Sequence, residues 1–511
     1  MRSAWLVWPM AWLAAGSPTA DAQAPEVYRI AGMVVNGASG QPVAGARVTL
    51  TPAAPRGQQM SAVSGDGGRF AFAGLPAGKY ELAGQRRGLL AAMWTGAIVT
   101  GPGQDTESIV LRLPPPAIIT GKVVDDAGEP VAQALVELLG SRIVGGRRQL
   151  VKDSFQRTDD TGEYRFSSLP ARSDYLVVSG IPWYTKFNET LGEAAPRSMT
   201  HAGYGIRYYP NVGEPAAAEP LVLKAGQEAT ANFTLVPVPA VSVYVHCEPE
   251  EGLTKQYTLT AAGLPREGVS VRQGSETGDL YNLWGILPGH YILRAEAADG
   301  SRTWYGTTEF DAGGADLDIS VTLRDAPSLS GTVALEGGGA LPAQLTVLLR
   351  DENGRGPSLA VGADGKFSIG AIPPGRYRVS MGGADEYYLR RESELLDIPA
   401  GSAVRLTLSA ARGYRIDGTV YRDTQPLAGA LVVLTPGNRA VESNSDGSYE
   451  FRGLPPGEYA LFAVEDAATD LEYTNPAAIR PYLSSATKVQ VGADAAHALI
   501  KLRAGGQEPM R

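Results

Sequence analysis

Along most of the chain, apolar and polar residues alternate with a period of two in short runs that Gly, Pro and Asp interrupt. In DGSYEFRGLPPGEYALFA (446–463), Tyr449 and Phe451 alternate with Glu450 and Arg452, which puts both rings on one face of a strand. Asp446-Gly447 ahead of them supplies a tight turn, because Gly tolerates positive φ and Asp bonds the local backbone. Pro455-Pro456-Gly457 ends the strand, since Pro has no N–H to donate. Tyr459, Leu461 and Ala463 then open a second strand on alternate positions. The pattern predicts a hairpin with one apolar face.

The same pattern returns at 66–83, 160–178, 278–295 and 364–381. Phe70/Phe72, Tyr164/Phe166, Tyr281/Leu283 and Phe367/Ile369 stand before the turn, and Tyr80, Tyr175, Tyr291 and Tyr377 after it. Upstream lies a second shared line, as in IAGMVVNGASGQPVAGARVTL (30–50), with anchor glycines Gly32, Gly121, Gly331 and Gly418. Gly32 and Gly121 are 89 residues apart, Gly331 and Gly418 87. The third copy departs, with Val243 where the others have Gly. About seven short strands per repeat, without a helical period, predict a β-sandwich that owns its core. The expected fold is all-β: five tandem seven-strand-type sandwiches in a rod-like array. Their expected bounds are 26–115, 116–238 with an aromatic-rich insertion at 181–222, 239–327, 328–411 and 412–505. Pro114-Pro115-Pro116, VPVPA (236–240) and DAPS (325–328) are expected to be stiff connectors. A straight rod of this kind would reach roughly 150–180 Å from strand rise.

Gly (62) and Pro (36) make up about a fifth of the 511 residues, which suits many strands joined by turns. A net charge of −9 carries no electrostatic footprint for nucleic acid. Arg2, the apolar run 4–16 and Ala20-Asp21-Ala22 read as a secretory signal over residues 1–22. The mature chain has no run long and apolar enough for a transmembrane helix. Export to the periplasm, cell surface or medium is expected. A lone cysteine, Cys247, excludes disulfides within the chain.

Gly418-Thr419-Val420, then Pro426–Leu434, Asp446-Gly447 and Leu454-Pro455-Pro456-Gly457-Glu458-Tyr459, resemble the bacterial carboxypeptidase regulatory-like domain. The first, second and fourth copies share the pattern, the third only in part. The resemblance implies a prealbumin-like seven-strand sandwich, export, a structural or binding role, and no catalytic residues.

Candidate chemistry is sparse. His201, His246, His290 and His497 are the only histidines, and none has Glu three residues on, so no zinc-peptidase pair is present. The repeated Asp-Gly turns lack calcium-loop spacing. Neither a nucleophile elbow nor a phosphate loop occurs at a strand-to-helix junction. No cofactor, no metal and no enzymatic activity are expected. Lys122 and Asn232, on the first and last strands of the second copy, have the placing of an isopeptide pair that the other copies do not repeat.

From Trp183 to Tyr209, six of 27 residues are aromatic, about 22% against 8% for the whole chain. Such rings either fold down on the sandwich edge or form a platform for sugars or a protein. Trp183, Tyr184, Tyr204, Tyr208, Tyr209 and Trp284 are the candidate ligand-binding residues, which Trp304-Tyr305 would extend. The functional readings are a non-catalytic scaffold, a polysaccharide-binding protein, or an accessory subunit that meets a cell-envelope protein.

Overall fold

The computed structural model describes residues 26–53, 58–180, 182, 202–248, 253–261, 274–277, 280–351, 354–390, 395–465, 471–492 and 497–503. They form tandem β-sandwiches, with a single α-helix, Pro476–Leu483, among them. In the first module, Tyr28–Asn36 lies between Arg69–Leu75 and Ile109–Leu113 in one sheet. The facing sheet holds Arg47–Pro52, Met60–Val63 and Gly78–Gln85, with Ala92–Met93 and Ile98–Thr100 both pairing the last of these. The first strand runs parallel to the last and antiparallel to the aromatic strand. That pairing recurs downstream, with 228–235 on 117–125, 317–322 on 241–248, 403–412 on 328–335 and 497–503 on 414–422.

The repeat's alternation is the reason. Phe70, Phe72, Tyr164, Phe166, Phe367, Tyr449 and Phe451 all turn inward and are at most 7% exposed. Each such ring or leucine contributes about 1.5–3 kcal/mol relative to exposure. Phe70–Phe72, Tyr164–Phe166 and Tyr449–Phe451 each pack edge to face, with centroids 5.9–6.2 Å apart. Five separate core clusters of 12 to 17 buried residues lie one after another along the described chain.

The anchor glycine and the first aromatic of the repeat are one device. Gly32 pairs Phe70, Gly121 pairs Tyr164, Gly331 pairs Phe367 and Gly418 pairs Tyr449 across the antiparallel ladder. A Cβ on Gly32, Gly121 or Gly331 would overlap a carbonyl oxygen of the parallel strand, that of Ile109, Ala231 or Leu406. The missing side chain leaves a hollow for the ring to cover, as aromatics do for glycines in designed sheets. In the third module, Val243 pairs Leu283 instead, so neither glycine nor ring is needed. That module keeps a full sandwich of two four-stranded sheets.

Three expectations are corrected. DEYYLRRESELL (385–396), where sequence left helix and loop open, contributes a short strand, Tyr387–Leu389, paired to Ala410–Arg412. The connector at 237–239 is no free polyproline rod, because it pairs antiparallel with Ala202–Tyr204 of the insertion. The straight rod is replaced by an array that turns back on itself. The Ser445 N–H donates to Ala97 O at 2.9 Å, joining the fifth module to the first. The Thr474 N–H donates to Gly146 O at 3.0 Å, joining it to the second.

Candidate binding surface of the second module

The turn L-P-x-G-x-Y at 75–80 and 454–459, with its variants IPPGRY (372–377) and ILPGHY (286–291), builds a tyrosine corner in four modules. The hydroxyls of Tyr80, Tyr291, Tyr377 and Tyr459 each donate to the carbonyl four residues back, at 2.7–2.9 Å. Burial raises the phenol pKa of Tyr80 and Tyr377 and pushes that of Tyr291 up to about 12. These side chains are closed to ligand chemistry.

The second module reads LPARSDY, and its ladder corrects the sequence alignment. Gly140 pairs Asp174 as Pro52 pairs Tyr80, so Asp174 takes the place of the corner tyrosine and Arg172 that of the glycine. Tyr175, expected to point inward, lies half-buried on the outer face beside Leu139, Val177 and Tyr208. The spacing of five from the preceding leucine sets the register, and the position of the tyrosine does not.

A charge cluster forms around Asp174. Arg172 Nε lies 2.7 Å from Asp174 Oδ1, and Arg172 Nη2 lies 2.5 Å from Asp153 Oδ2. Arg142 Nη2 holds the other oxygen of Asp153 at 2.5 Å. Asp174 is fully buried, and Asp153 sits in a β-bulge opposite Leu138–Leu139. Neither Asp174 oxygen makes a well-directed hydrogen bond, so distance and charge rather than alignment hold the pair. Burial lifts the Asp174 carboxyl above its usual range, against the opposing pull of Arg172. Two carboxylates and two guanidiniums balance in charge within this cluster.

On the outer face, the buried Glu137 carboxylate is ion-paired to Lys152, whose ammonium also stands 5.4 Å from the Phe155 ring centroid. Tyr208 packs with Leu139 and Val177 on the same face, and burial, with Glu214 and Glu137 nearby, pushes its phenol up to about 12.

The candidate ligand residues part company here. Tyr204 and Tyr208 are only 3% and 4% exposed, and Tyr209 packs against the core of the second module. These three rings fold down on the sandwich and make no open platform. Trp183 and Tyr184 lie outside the described residues. Trp284 is half-buried on Leu280–Ile286, whereas Trp304 and Tyr305 lie on Thr303–Ala312 of the opposite sheet, so the structure does not bring them together. The insertion does reach the third module, for a Cβ on Gly203 would come within 2.8 Å of Leu287 Cδ2 and 3.3 Å of Gly285 O.

Cys247 is fully buried in the third core, while His246 faces out with Nε2 3.4 Å from Asp318 Oδ1. His290 Nδ1 lies 2.8 Å from Asp311 Oδ1, and that bond raises the imidazole pKa. Among the described residues, no group of three or more His, Cys, Asp and Glu is placed to hold a metal. No helix among them is long and apolar enough to cross a membrane. Asn232 Oδ1 accepts from the Lys122 backbone N–H at 2.9 Å, which engages the amide without the lysine ammonium.

Sequence reading missed a second repeated device. Ser64, Thr158 and Ser443, just before the Asp-Gly turns, are buried. Each hydroxyl accepts one backbone N–H and donates to one carbonyl, at 2.5–2.9 Å. A hydroxyl residue at that position in three repeats was the available signal.

Among solved structures, a streptococcal ancillary pilin is 13% identical, covering 52% of this chain and all of its own, with a TM-score of 0.18. A minor pilin of Streptococcus agalactiae is 15% identical, covering 42% and 97%, with a TM-score of 0.22. The major pilin subunit of Bacillus cereus is 9% identical, covering 94% and 99%, with a TM-score of 0.15. Scores this low carry no argument about shape or role. No curated protein matches the chain. Residues 29–112 and 415–479 match the family model of the carboxypeptidase regulatory-like domain, and these two segments are where the chain is similar to it.

Proposed function

We propose that the chain is an exported, non-catalytic scaffold built of five sandwich units, 26–115, 116–238, 239–327, 328–411 and 412–505, that holds or spaces partners in the cell envelope. One observation carries this reading: the residues the repeats share are engaged in building the repeats. Anchor glycines are covered by rings, corner tyrosines bond their own turns, and the Ser/Thr hydroxyls bridge two backbone groups. What varies between modules, chiefly the second module's insertion, is what remains for recognition.

Carbohydrate binding is the second reading, favoured by the half-buried Trp284 on the strand that the insertion meets at Gly203. A polysaccharide panel titrated against the mature protein, with Trp fluorescence as readout, separates the two. A scaffold gives no saturable response. Saturable binding that Trp183→Ala/Tyr184→Ala/Trp284→Ala abolishes overturns the scaffold reading in favour of a sugar site.

A further inference from the structure

We propose that the fifth module is an intramolecular clasp that binds the first and second modules at two separate surfaces, so that the working form of the chain is a closed ring of modules. This goes beyond the scaffold reading, which an open or a closed array would satisfy equally.

The first surface is the loop before Ile98–Thr100 of the first module. Ser445 donates its N–H to Ala97 O and accepts the Val99 N–H on Oγ, both at 2.9 Å. Gly96 has φ +71°, and a Cβ there would overlap Ser443 O. Ser445 stands two residues before the turn glycine Gly447, where the other repeats place Asp66, Asp160 and Ala363 before Gly68, Gly162 and Gly365. The turn itself needs no serine there, since the other modules close it without one.

The second surface is the tip of the hairpin formed by Leu135–Val144 and Arg147–Arg157. Those strands have 10 and 11 residues, against six and four in the first module and five and four in the fifth. The hairpin overhangs its own sandwich, and the overhang is what the fifth module grips. Gly146 O accepts from the Thr474 N–H at 3.0 Å and from Thr474 Oγ1 at 2.9 Å. Glu472 Oε1 accepts the Arg148 N–H at 2.8 Å. Gly146 has φ +79°, and a Cβ there would come within 2.6 Å of the Tyr473 ring.

The gripping segment is pre-shaped. Asn475 caps the helix Pro476–Leu483 by accepting the Ala477 N–H, and its amide donates to Glu472 Oε2 at 2.9 Å. These bonds, the Asn475 one foremost, hold the Glu472 carboxyl below its usual range. Tyr482 of the helix stacks on Phe462 at 5.1 Å, and Ile479 is buried. Two surfaces on different modules, each with a side-chain-free glycine at its centre and backbone hydrogen bonds across it, point to one shaped partner.

Two measurements on the full mature chain test the clasp. A Cβ on Gly429 would lie 3.4 Å from Thr95 Cβ, close to disulfide spacing. Thr95→Cys/Gly429→Cys should therefore form an intrachain disulfide on mild oxidation, seen as a mobility shift that reductant reverses. Gly429 has φ +72°, so the variant is first shown by circular dichroism and thermal melting to keep the wild-type fold; no cross-link in the folded variant, or one formed only between chains, overturns the proposal. Small-angle scattering should find the wild type near the compact limit, a radius of gyration of about 23 Å for this length. Ser445→Asp/Glu472→Ala/Thr474→Ala should raise it at least about 1.3-fold, toward the roughly twofold larger value of a straight rod. A wild type already as extended as the triple variant would also overturn it.

Discussion

The corner of the second module and the corner of the fourth occupy the same place in the same sandwich and are made of different chemistry. In the fourth, one neutral hydroxyl satisfies one carbonyl, Tyr377 to Pro373 O at 2.7 Å, and the ring fills the sheet end. In the second, Asp174, Arg172, Asp153 and Arg142 fill that volume with four charges. The backbone tolerates both because its register is set by the apolar ladder around it, Leu138 opposite Leu176 and Leu349 opposite Val379. The difference lies in how each corner fails. A neutral corner loses one hydrogen bond, whereas an ionic corner that loses one member leaves an unpaired buried charge.

The strongest way to break the comparison is Arg172→Ala, which strips both buried carboxylates of their shared partner. The expected loss is about 3–5 kcal/mol. Hydrogen exchange should show it as lost protection in Ser173–Ser179 and Leu135–Val144, with the fourth module unchanged. Equal loss in both modules would show the cluster is not local.

Ser443→Ala comes next, leaving the Ala430 N–H and Leu427 carbonyl of the fifth module without their bridge. About 1–3 kcal/mol should go, read from the urea dependence of exchange in Leu431–Thr435. Tyr377→Phe should cost about 1 kcal/mol, the worth of one ordinary hydrogen bond, by the same measurement on Gly375–Gly382. A loss as large as that of Arg172→Ala would erase the distinction between the corners.

The smallest effect is on pH. Burial raises the Asp174 carboxyl in the folded chain, so the folded state binds that proton more tightly than the unfolded one. The second module should be favoured below the ordinary carboxylate pKa of about 4 and should lose this contribution as pH rises through the raised value. Asp174→Asn should flatten that slope in urea midpoints taken between acid and neutral pH. The fourth module, whose corner phenol is neutral throughout that range, should show no matching slope. An unchanged slope in the variant would assign the pH dependence to other groups.

Much of each sandwich was legible in the residues. Tyr449 and Phe451 alternate with charges because both rings are buried, and Gly418 recurs with them because the two pair across the ladder. The aromatic insertion was legible only as a choice between packing and exposure. Tyr204 and Tyr208 resolved toward packing because Gly203 and Arg207 seat their strands on Val238 and Val178. Tyr175 was aligned with the corner tyrosines by its letter in LPARSDY, one residue beyond the position that Asp174 occupies in the ladder.

By itself, then, the sequence determined an all-β chain of repeated sandwiches, their turn chemistry and most of their inward-facing rings. Period-two alternation, Gly and Pro act over a few residues, so one stretch of chain contains all the information they need. Only the tertiary structure decided that Asp174 is buried against two arginines and that the array closes. Those outcomes depend on partners that no local pattern announces, such as Val99 and Ser445, 346 residues apart, or Gly146 and Thr474, 328 apart. A hydrogen bond across such a separation follows from where whole modules come to rest.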